Sequence, residues 1–170
     1  MPMNTKTTDR HIVAYTDGSA LRHWLGYSVV CYYDDRVRIL GRHSKPGTVT
    51  HGTFCVAELL AVNLLLNSVA SRKRGNVHLT IVMDSQTVVN ALQGRQSPRD
   101  LRDHLEKTKC LLTEYKSHIV IWEKRDKSPG NRLAHQAAND ARWRQKVDQV
   151  RAVTDEEREC LSYHKSPSTS

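Results

Sequence analysis

Residues 12–20 read Ile-Val-Ala-Tyr-Thr-Asp-Gly-Ser-Ala, an apolar run that ends in a carboxylate. The β-branched and aromatic residues favour a strand, and the glycine after the acid predicts a sharp turn of the backbone. We therefore expect the strand to stop at Asp17 and to hold its carboxylate at the rim of a sheet. An Asp-Gly pair is by itself more typical of an ordinary turn, so its meaning depends on the rest of the chain.

The length and charge of the chain suggest one domain with an anionic partner. The 170 residues have room for one domain with a full core. We predict a disordered leader over 1–10, the domain over 11–145, and a charged, partly disordered tail over 146–170. Lys and Arg number 26 against 18 acids, a formal net charge of +8. This charge favours nucleic acid as a partner, although a soluble basic surface without that role has the same composition.

Cysteine usage and hydropathy bear on the compartment. The four cysteines lack the paired spacing of a zinc site and the density of a secreted scaffold, so we expect reduced, mostly buried thiols. No apolar run approaches the ~20 residues that span a bilayer, and the first ten residues lack the apolar core of a signal peptide. We therefore expect a soluble, intracellular, cytoplasmic protein with no membrane partner. The sequence does not determine the oligomeric state, and a monomer is the expectation.

Hydrophobic periodicity predicts a chain that begins with strands and then alternates between helices and strands. The predicted elements are strands over 12–17, 26–33 and 36–44, a helix from Thr53 (its expected N-cap) that the basic residues 72–74 and Gly75 close, a strand over 77–83, helices over 85–92 and 100–116, a strand over 117–123, and a helix over 133–143. This order predicts an α/β fold whose five-stranded mixed sheet, three antiparallel strands followed by two parallel additions, is flanked by helices.

Three acids fall where this fold would bring them together. Asp17 and Asp84 each follow a hydrophobic strand, and the ends of neighbouring parallel strands meet at one edge of a sheet. Glu58 lies one turn into the first helix among apolar neighbours, where an unpaired charge is costly to bury. No single Lys or Arg is spaced to neutralise all three acids, whereas a hard divalent cation such as Mg²⁺ would do so. The alternative is that each acid is separately solvated.

Five motifs in order resemble those of the type 1 ribonuclease H superfamily. They are Tyr15-Thr16-Asp17-Gly18-Ser19, Ala57-Glu58-Leu59-Leu60-Ala61, Asp84-Ser85-Gln86 with Val88, Trp122, and Gly130-Asn131-x-x-Ala134. The resemblance covers roughly residues 11–143 and implies a ribonuclease H-like fold. The segment Lys124-Arg125-Asp126, followed by Asn131 and Ala134, is similar to that of the archaeal and plant-like branch. That branch lacks a long basic protrusion, and the short stretch 94–100 leaves no room for one.

The resemblance also implies a mechanism and a set of site residues. In that family, two metal ions about 4 Å apart lie between enzyme carboxylates and the scissile phosphate. By resemblance, Asp17 bridges both ions, and Glu58 and Asp84 each hold one of them. Gly18 and Ser19 are expected near the ribose 2′-hydroxyl groups. The implied substrate-binding residues are Gly18, Ser19, Thr53, Phe54, Cys55, Gln86, Arg125 and Asn131.

The sequence departs from the family pattern at three places. His135 stands where the family has a fourth acid, and we predict that it serves as a metal ligand and favours Mn²⁺; the alternative is a surface histidine with no such role. Phe54 and Cys55 replace residues that are commonly Asn, and Phe54 either stacks on the nucleic acid or packs in the core. Arg125 stands near the position of a loop histidine and is either a phosphate contact or a solvent-facing charge.

We therefore expect an endonuclease that hydrolyses the RNA strand of RNA–DNA hybrids with two Mg²⁺ or Mn²⁺ ions. A structure-selective DNA nuclease similar to Holliday-junction resolvases is the alternative among enzymes, because distant relatives with this fold use His in a comparable place. Proofreading exonucleases fit less well, since their first motif carries Asp-x-Glu. A catalytically weak nucleic-acid-binding domain of a retroelement is the alternative outside enzymes.

Overall fold

The computed structural model describes residues 8–21, 24–44, 54–95, 99–143 and 145–165. The elements are strands β1 (Arg10–Leu21), β2 (Trp24–Tyr33) and β3 (Arg36–His43), helices α1 (Phe54–Ser68) and α2 (Ser71–Arg74), strand β4 (Val77–Met83), helices α3 (Gln86–Leu92) and α4 (Arg102–Leu112), strand β5 (Ser117–Trp122), helix α5 (Pro129–Arg142), strand β6 (Val147–Ala152) and helix α6 (Asp155–Lys165). A short 3₁₀ helix precedes α4. Thr53, the expected N-cap, lies outside the described residues.

The strands form one mixed sheet in the order β5-β4-β1-β2-β3-β6. The predicted antiparallel meander β1-β2-β3 and the two parallel additions β4 and β5 are confirmed. The predicted count of five strands is wrong, because β6 pairs antiparallel with β3 along that edge. Two apolar cores separate the layers: α1, α3 and α4 cover one face of the sheet, and α5 and α6 cover the other. The result is a three-layer α/β/α arrangement.

The structure corrects the predicted ends of the domain. Arg10, assigned to the leader, is the first residue of β1, while residues 1–7 lie outside the described part. Beyond residue 145, where a tail was predicted, β6 extends the sheet and α6 packs on the second core through Leu161. Thr154 starts α6 with a capping box, since its hydroxyl accepts from the Glu157 N–H and the Glu157 carboxylate accepts from the Thr154 N–H. Most residues of 146–165 therefore belong to the folded domain.

Two further sequence predictions change in detail. The basic residues 72–74 do not close α1 but form α2, where Arg74 is buried and ion-paired with Glu114. Helix α5 begins at Pro129 rather than at residue 133, because the Ser128 side chain caps it and Pro at the first helical position needs no N–H partner. All four cysteines are free as expected, but Cys31 alone is buried, and Cys110 is exposed. Among the described residues, no helix is both long and apolar enough to cross a bilayer.

Candidate metal centre

Parallel pairing of β1 with β4 brings Asp17 near Asp84. The two strands pair from Arg10↔Val77 to Tyr15↔Val82, and β4 ends one residue before Asp84. Strand β1 does not stop at Asp17 as predicted; it continues to Leu21 along β2. Asp17 therefore lies within a continuous strand that is still paired with β2. Its partner on the other side, β4, has already ended there.

Gly18 brings the helix that carries Glu58 against this strand. A Cβ at Gly18 would lie 2.6 Å from the carbonyl carbon of Ala57 and would also clash with the backbone of Glu58. The predicted sharp turn is wrong, because Gly18 is extended and paired with β2. The glycine is needed here for close approach of a helix to a strand. This contact also lets the Gly18 backbone hydrogen-bond the Glu58 carboxylate.

The three acids form one compact cluster. One carboxylate oxygen from each of Asp17, Glu58 and Asp84 lies within 4.8 Å of the other two. Asp17 and Glu58 are 2% and 3% exposed, and the Asp84 side chain is 8% exposed. Asp17 Oδ1 and Glu58 Oε2 are buried without a hydrogen-bond partner among the described residues. Such oxygens are rare in folded proteins, and each requires an explanation.

Burial and mutual repulsion make the ionised form of these acids unfavourable. Burial and, after it, the charge of Asp84 raise the pKa of Asp17 to about 6, against the hydrogen bond from His135, which lowers it. Burial, followed by the charges of Asp17 and Asp84, also raises the pKa of Glu58 well above its ordinary value. A divalent cation would reverse both effects, because it stabilises the carboxylate form and supplies partners for the two unpartnered oxygens. The donor set therefore fits a hard cation.

Arg125 supplies a positive charge at this edge. Its Nε donates to Asp84 Oδ2 at 2.6 Å, and its side chain is 52% exposed. Arg125 also lowers the pKa values of Asp17 and Glu58, so one cation acts on all three acids. It does not neutralise them, because the pKa values of Asp17 and Glu58 stay raised. The two unpartnered oxygens remain in its presence. The Arg125 guanidinium therefore lies on the solvent-exposed side of Asp84.

His135 lies beside the cluster, as the sequence predicts, but both of its ring nitrogens are engaged. Nδ1 is 2.9 Å from Asp17 Oδ2, and Nε2 is 3.2 Å from the Asn139 amide nitrogen. The group of ligand atoms within mutual reach consists of the three carboxylates and does not include His135. The histidine therefore contacts a candidate ligand, and its own binding to a metal stays a prediction.

The other predicted substrate contacts are dispersed around the site. Phe54 is 62% exposed at the start of α1, so it does not pack in the core, while Cys55 is half-buried. Gln86 is exposed and bonds Asn90. Asn131 is 5% exposed, and its N–H donates to the Ser128 hydroxyl that caps α5. Their roles in binding stay predictions.

Sequence reasoning missed Asn139 and Arg142, which lie on α5 with His135. Asn139 Oδ1 accepts from Ser19 Oγ at 2.9 Å, and Arg142 Nη1 donates to the same hydroxyl at 2.9 Å. Ser19 is 4% exposed, so its hydroxyl is engaged inside the protein. Spacing of four residues places Asn139 on the same helix face as His135, which is the signal that could have drawn attention to it.

The sheet order, the three helical partners of its first face and the acid cluster define a ribonuclease H fold, and solved structures bear this out. The ribonuclease H domain at the N-terminus of a Mycobacterium tuberculosis protein matches with a TM-score of 0.66 at 23% identity, covering 79% of this chain and 95% of that one. RNase H1 from Halobacterium salinarum matches with a TM-score of 0.62 at 22% identity, covering 79% and 99%. LC11-RNase H1, solved in complex with an RNA/DNA hybrid, matches with a TM-score of 0.64 at 20% identity, covering 78% and 97%.

Comparison with protein-family models gives no match. No curated protein matches the chain either. The likeness to solved structures therefore establishes the fold of this chain.

Proposed function

We propose that this protein is a metal-dependent endonuclease that hydrolyses the RNA strand of RNA–DNA hybrids. The observation that carries the proposal is the cluster of Asp17, Glu58 and Asp84, in which one oxygen of each acid lies within 4.8 Å of the other two. Asp17 and Glu58 each also have a buried oxygen without a hydrogen-bond partner among the described residues. The ribonuclease H fold supports it, and a similar structure was solved with an RNA/DNA hybrid bound. The net charge of +8 suits a nucleic-acid partner.

The carboxylates of Asp17, Glu58 and Asp84 would hold Mg²⁺ or Mn²⁺. Such ions activate water for attack on the phosphodiester and neutralise charge on the leaving oxygen. Asp17 and Glu58 contribute buried negative charge that is unfavourable without a cation, which favours occupation of the site. The exposed guanidinium of Arg125 is suited to a phosphate oxygen of the substrate, because Arg donates in a planar fork. Recognition of ribose by Gly18 and Ser19 stays a prediction.

The decisive experiment compares substrates and metals with the full chain. Wild-type protein is incubated with a hybrid, a duplex RNA, a duplex DNA and a four-way DNA junction, each in Mg²⁺ and in Mn²⁺. We expect cleavage of the RNA strand of the hybrid, with 5′-phosphate and 3′-hydroxyl ends, and no cleavage without metal. Preferential cleavage of the junction would instead support the resolvase-like alternative, and binding without cleavage would support an inactive nucleic-acid-binding domain.

Metal binding is tested separately by thermal unfolding. A ligand that binds the folded state at about 100 times its Kd stabilises it by about 2.7 kcal/mol. We expect Mg²⁺ and Mn²⁺ to raise the Tm of wild type but not of Glu58→Gln. Glu156→Gln, an exposed acid on α6, is the matched control and should respond as wild type does. Equal shifts for the two variants would contradict the assignment of the metal site.

A further inference from the structure

Four hydrogen bonds, three between α5 and β1 and one within α5, form one continuous chain beside the carboxylate cluster. Arg142 Nη1 lies 2.9 Å from Ser19 Oγ, which lies 2.9 Å from Asn139 Oδ1. Asn139 Nδ2 lies 3.2 Å from His135 Nε2, and His135 Nδ1 lies 2.9 Å from Asp17 Oδ2. We call these five residues the hydrogen-bond chain. It starts at a guanidinium and ends at a candidate metal ligand.

The Arg142 guanidinium determines which group donates in each bond of the hydrogen-bond chain. Arg has donors and no acceptor, so the Ser19 hydroxyl must accept from Arg142. Its single proton is then donated to the Asn139 carbonyl oxygen, and the Asn139 amide group must face His135. Reversing this amide would place two donors on the Ser19 hydroxyl and take away the acceptor of its own proton. Because Ser19 is 4% exposed, an unpaired hydroxyl there would be costly.

The same logic assigns the tautomer of His135. Nε2 faces an N–H donor and must present its lone pair, so in the neutral ring the proton is on Nδ1. Nδ1–H then donates to Asp17 Oδ2, while Asp17 Oδ1 has no partner. In this arrangement neither ring nitrogen has a free lone pair for a cation. One oxygen of Asp17 is held by the protein, and the other is available.

We propose that His135 is a fixed hydrogen-bond donor to Asp17, and that Asn139, oriented by Ser19 and Arg142, is the positioning residue that keeps it so. The inference rests on the proposed function, because it takes Asp17 to be a metal ligand. His135 stands where the similar family has a fourth acid, and in this arrangement it is a neutral group that orients the ligand Asp17. A donor adds no negative charge to a cluster in which three acids already repel one another.

The tautomer of His135 is measured directly by nuclear magnetic resonance on protein labelled with ¹⁵N in its nine histidines. Spectra are recorded without metal at pH about 8, above the ordinary His pKa of about 6.5. The His135 signals are assigned by their loss in His135→Gln. We expect the proton on Nδ1 in wild type. A proton on Nε2 would overturn the proposal.

Two variants test the positioning role. Asn139→Leu removes the group that faces Nε2, and Ser19→Ala frees the Asn139 amide to reverse. Both should weaken the preference for Nδ1–H, which then rests on Asp17 Oδ2 alone as the acceptor. Gln136→Leu, an exposed neighbour on the same helix, is the matched control and should keep it. Retention of the full wild-type preference in both Asn139→Leu and Ser19→Ala would overturn the positioning role, whatever their stability.

Titration with Mg²⁺ separates this inference from the proposed function. Mg²⁺ should shift the backbone amides near Asp17 and Asp84 while the proton stays on His135 Nδ1; loss of that proton would show direct ligation and overturn the inference. Calorimetry should give a Kd for Mg²⁺ about tenfold weaker in Asn139→Leu, since residues behind metal ligands contribute about 10–100-fold in affinity. Absence of any Mg²⁺ binding by wild type would instead contradict the proposed function, while the metal-free tautomer still decides the inference.

Discussion

Glu58 and Glu157 are buried to the same extent, each about 3% exposed, but their surroundings are opposite. Glu157 accepts from the Tyr32 hydroxyl at 2.8 Å, from two nitrogens of Arg151 at 2.9 and 2.7 Å, and from the Thr154 N–H at 2.8 Å. Glu58 faces two other carboxylates and retains an unpartnered oxygen. We refer to these surroundings as the Glu157 anchor and the carboxylate cluster.

The pKa values show what this difference means. Burial raises the pKa of both groups, but in the Glu157 anchor the hydrogen bonds from Arg151, Thr154 and Tyr32 outweigh burial and lower the pKa of Glu157 to about 2. In the carboxylate cluster, the neighbouring charges act in the same direction as burial. A buried acid with complete hydrogen-bond partners is typical of a structural site, whereas a buried acid without them indicates a candidate binding site. The comparison therefore separates a structural site from the candidate functional site.

The largest expected effect is the loss of activity in Asp17→Asn. The substitution removes a charged ligand from the carboxylate cluster, so we expect cleavage of a hybrid to fall below about a hundredth of wild type. Stability should not fall, because one of three mutually repelling acids becomes neutral. Steady-state cleavage and urea unfolding measure the two effects. Asp148→Asn, an exposed acid on β6, is the control that should keep full activity; activity of Asp17→Asn above about a tenth of wild type would exclude the assigned role.

Glu157→Gln should have the opposite consequence. It removes the charge that accepts hydrogen bonds from Arg151, and because the Arg151 side chain is 37% exposed we expect a loss of about 2 kcal/mol in the free energy of unfolding. Cleavage per folded molecule should be unchanged, since the Glu157 anchor shares no residue with the carboxylate cluster. Urea unfolding followed by circular dichroism gives the change, with Glu156→Gln as the neighbouring control. A stability equal to that of wild type would mean that the anchor contributes nothing.

Gly18→Ala tests how β1 and α1 are brought together. The added Cβ would meet the backbone of α1, so we expect a loss of about 2 kcal/mol in the free energy of unfolding and weaker Mg²⁺ binding, because Glu58 moves. Gly75→Ala is the matched control. Apart from its chain neighbours, no described residue has a heavy atom within 4 Å of the position that its Cβ would take, and its φ of −62° suits any residue. Thermal unfolding of both variants with and without Mg²⁺ checks this. Equal effects in the two variants would argue against close approach at Gly18.

The smallest expected effect is an acid dependence that comes from Glu157. Its folded pKa of about 2 is below the unfolded value of about 4.3. The stabilisation is therefore fully present above about pH 4.3 and is lost as the pH falls towards 2. Between about pH 5 and pH 3 this amounts to about 1.5 kcal/mol. The difference in unfolding free energy between wild type and Glu157→Gln should shrink by that amount over the same range, and a constant difference would contradict the linkage.

Sequence patterns were sufficient for the parts of the fold that are locally amphipathic or fully apolar. Strands such as β4 and the buried helix α1 show their character within a few residues, and the meander was visible from its short turns. Strand β6 was missed because it is an edge strand whose residues are mostly exposed, so it has no apolar alternation. Helix α6 had two local signals that could have been recognised. Acids fill its first turn, and Thr154 with Glu157 three residues on forms a capping box.

The sequence by itself determined which residues form the candidate site. Asp84 follows from a strand end, Glu58 from a helix position, and all three acids from the order of the motifs, whereas the strand end expected at Asp17 was wrong. Only the tertiary structure decided how the site is built. Gly18 serves close helix packing rather than a turn, and His135 is held between Asp17 and Asn139. These features depend on contacts between residues far apart in the chain or on the direction of a hydrogen-bond network, neither of which leaves a periodic trace in the sequence.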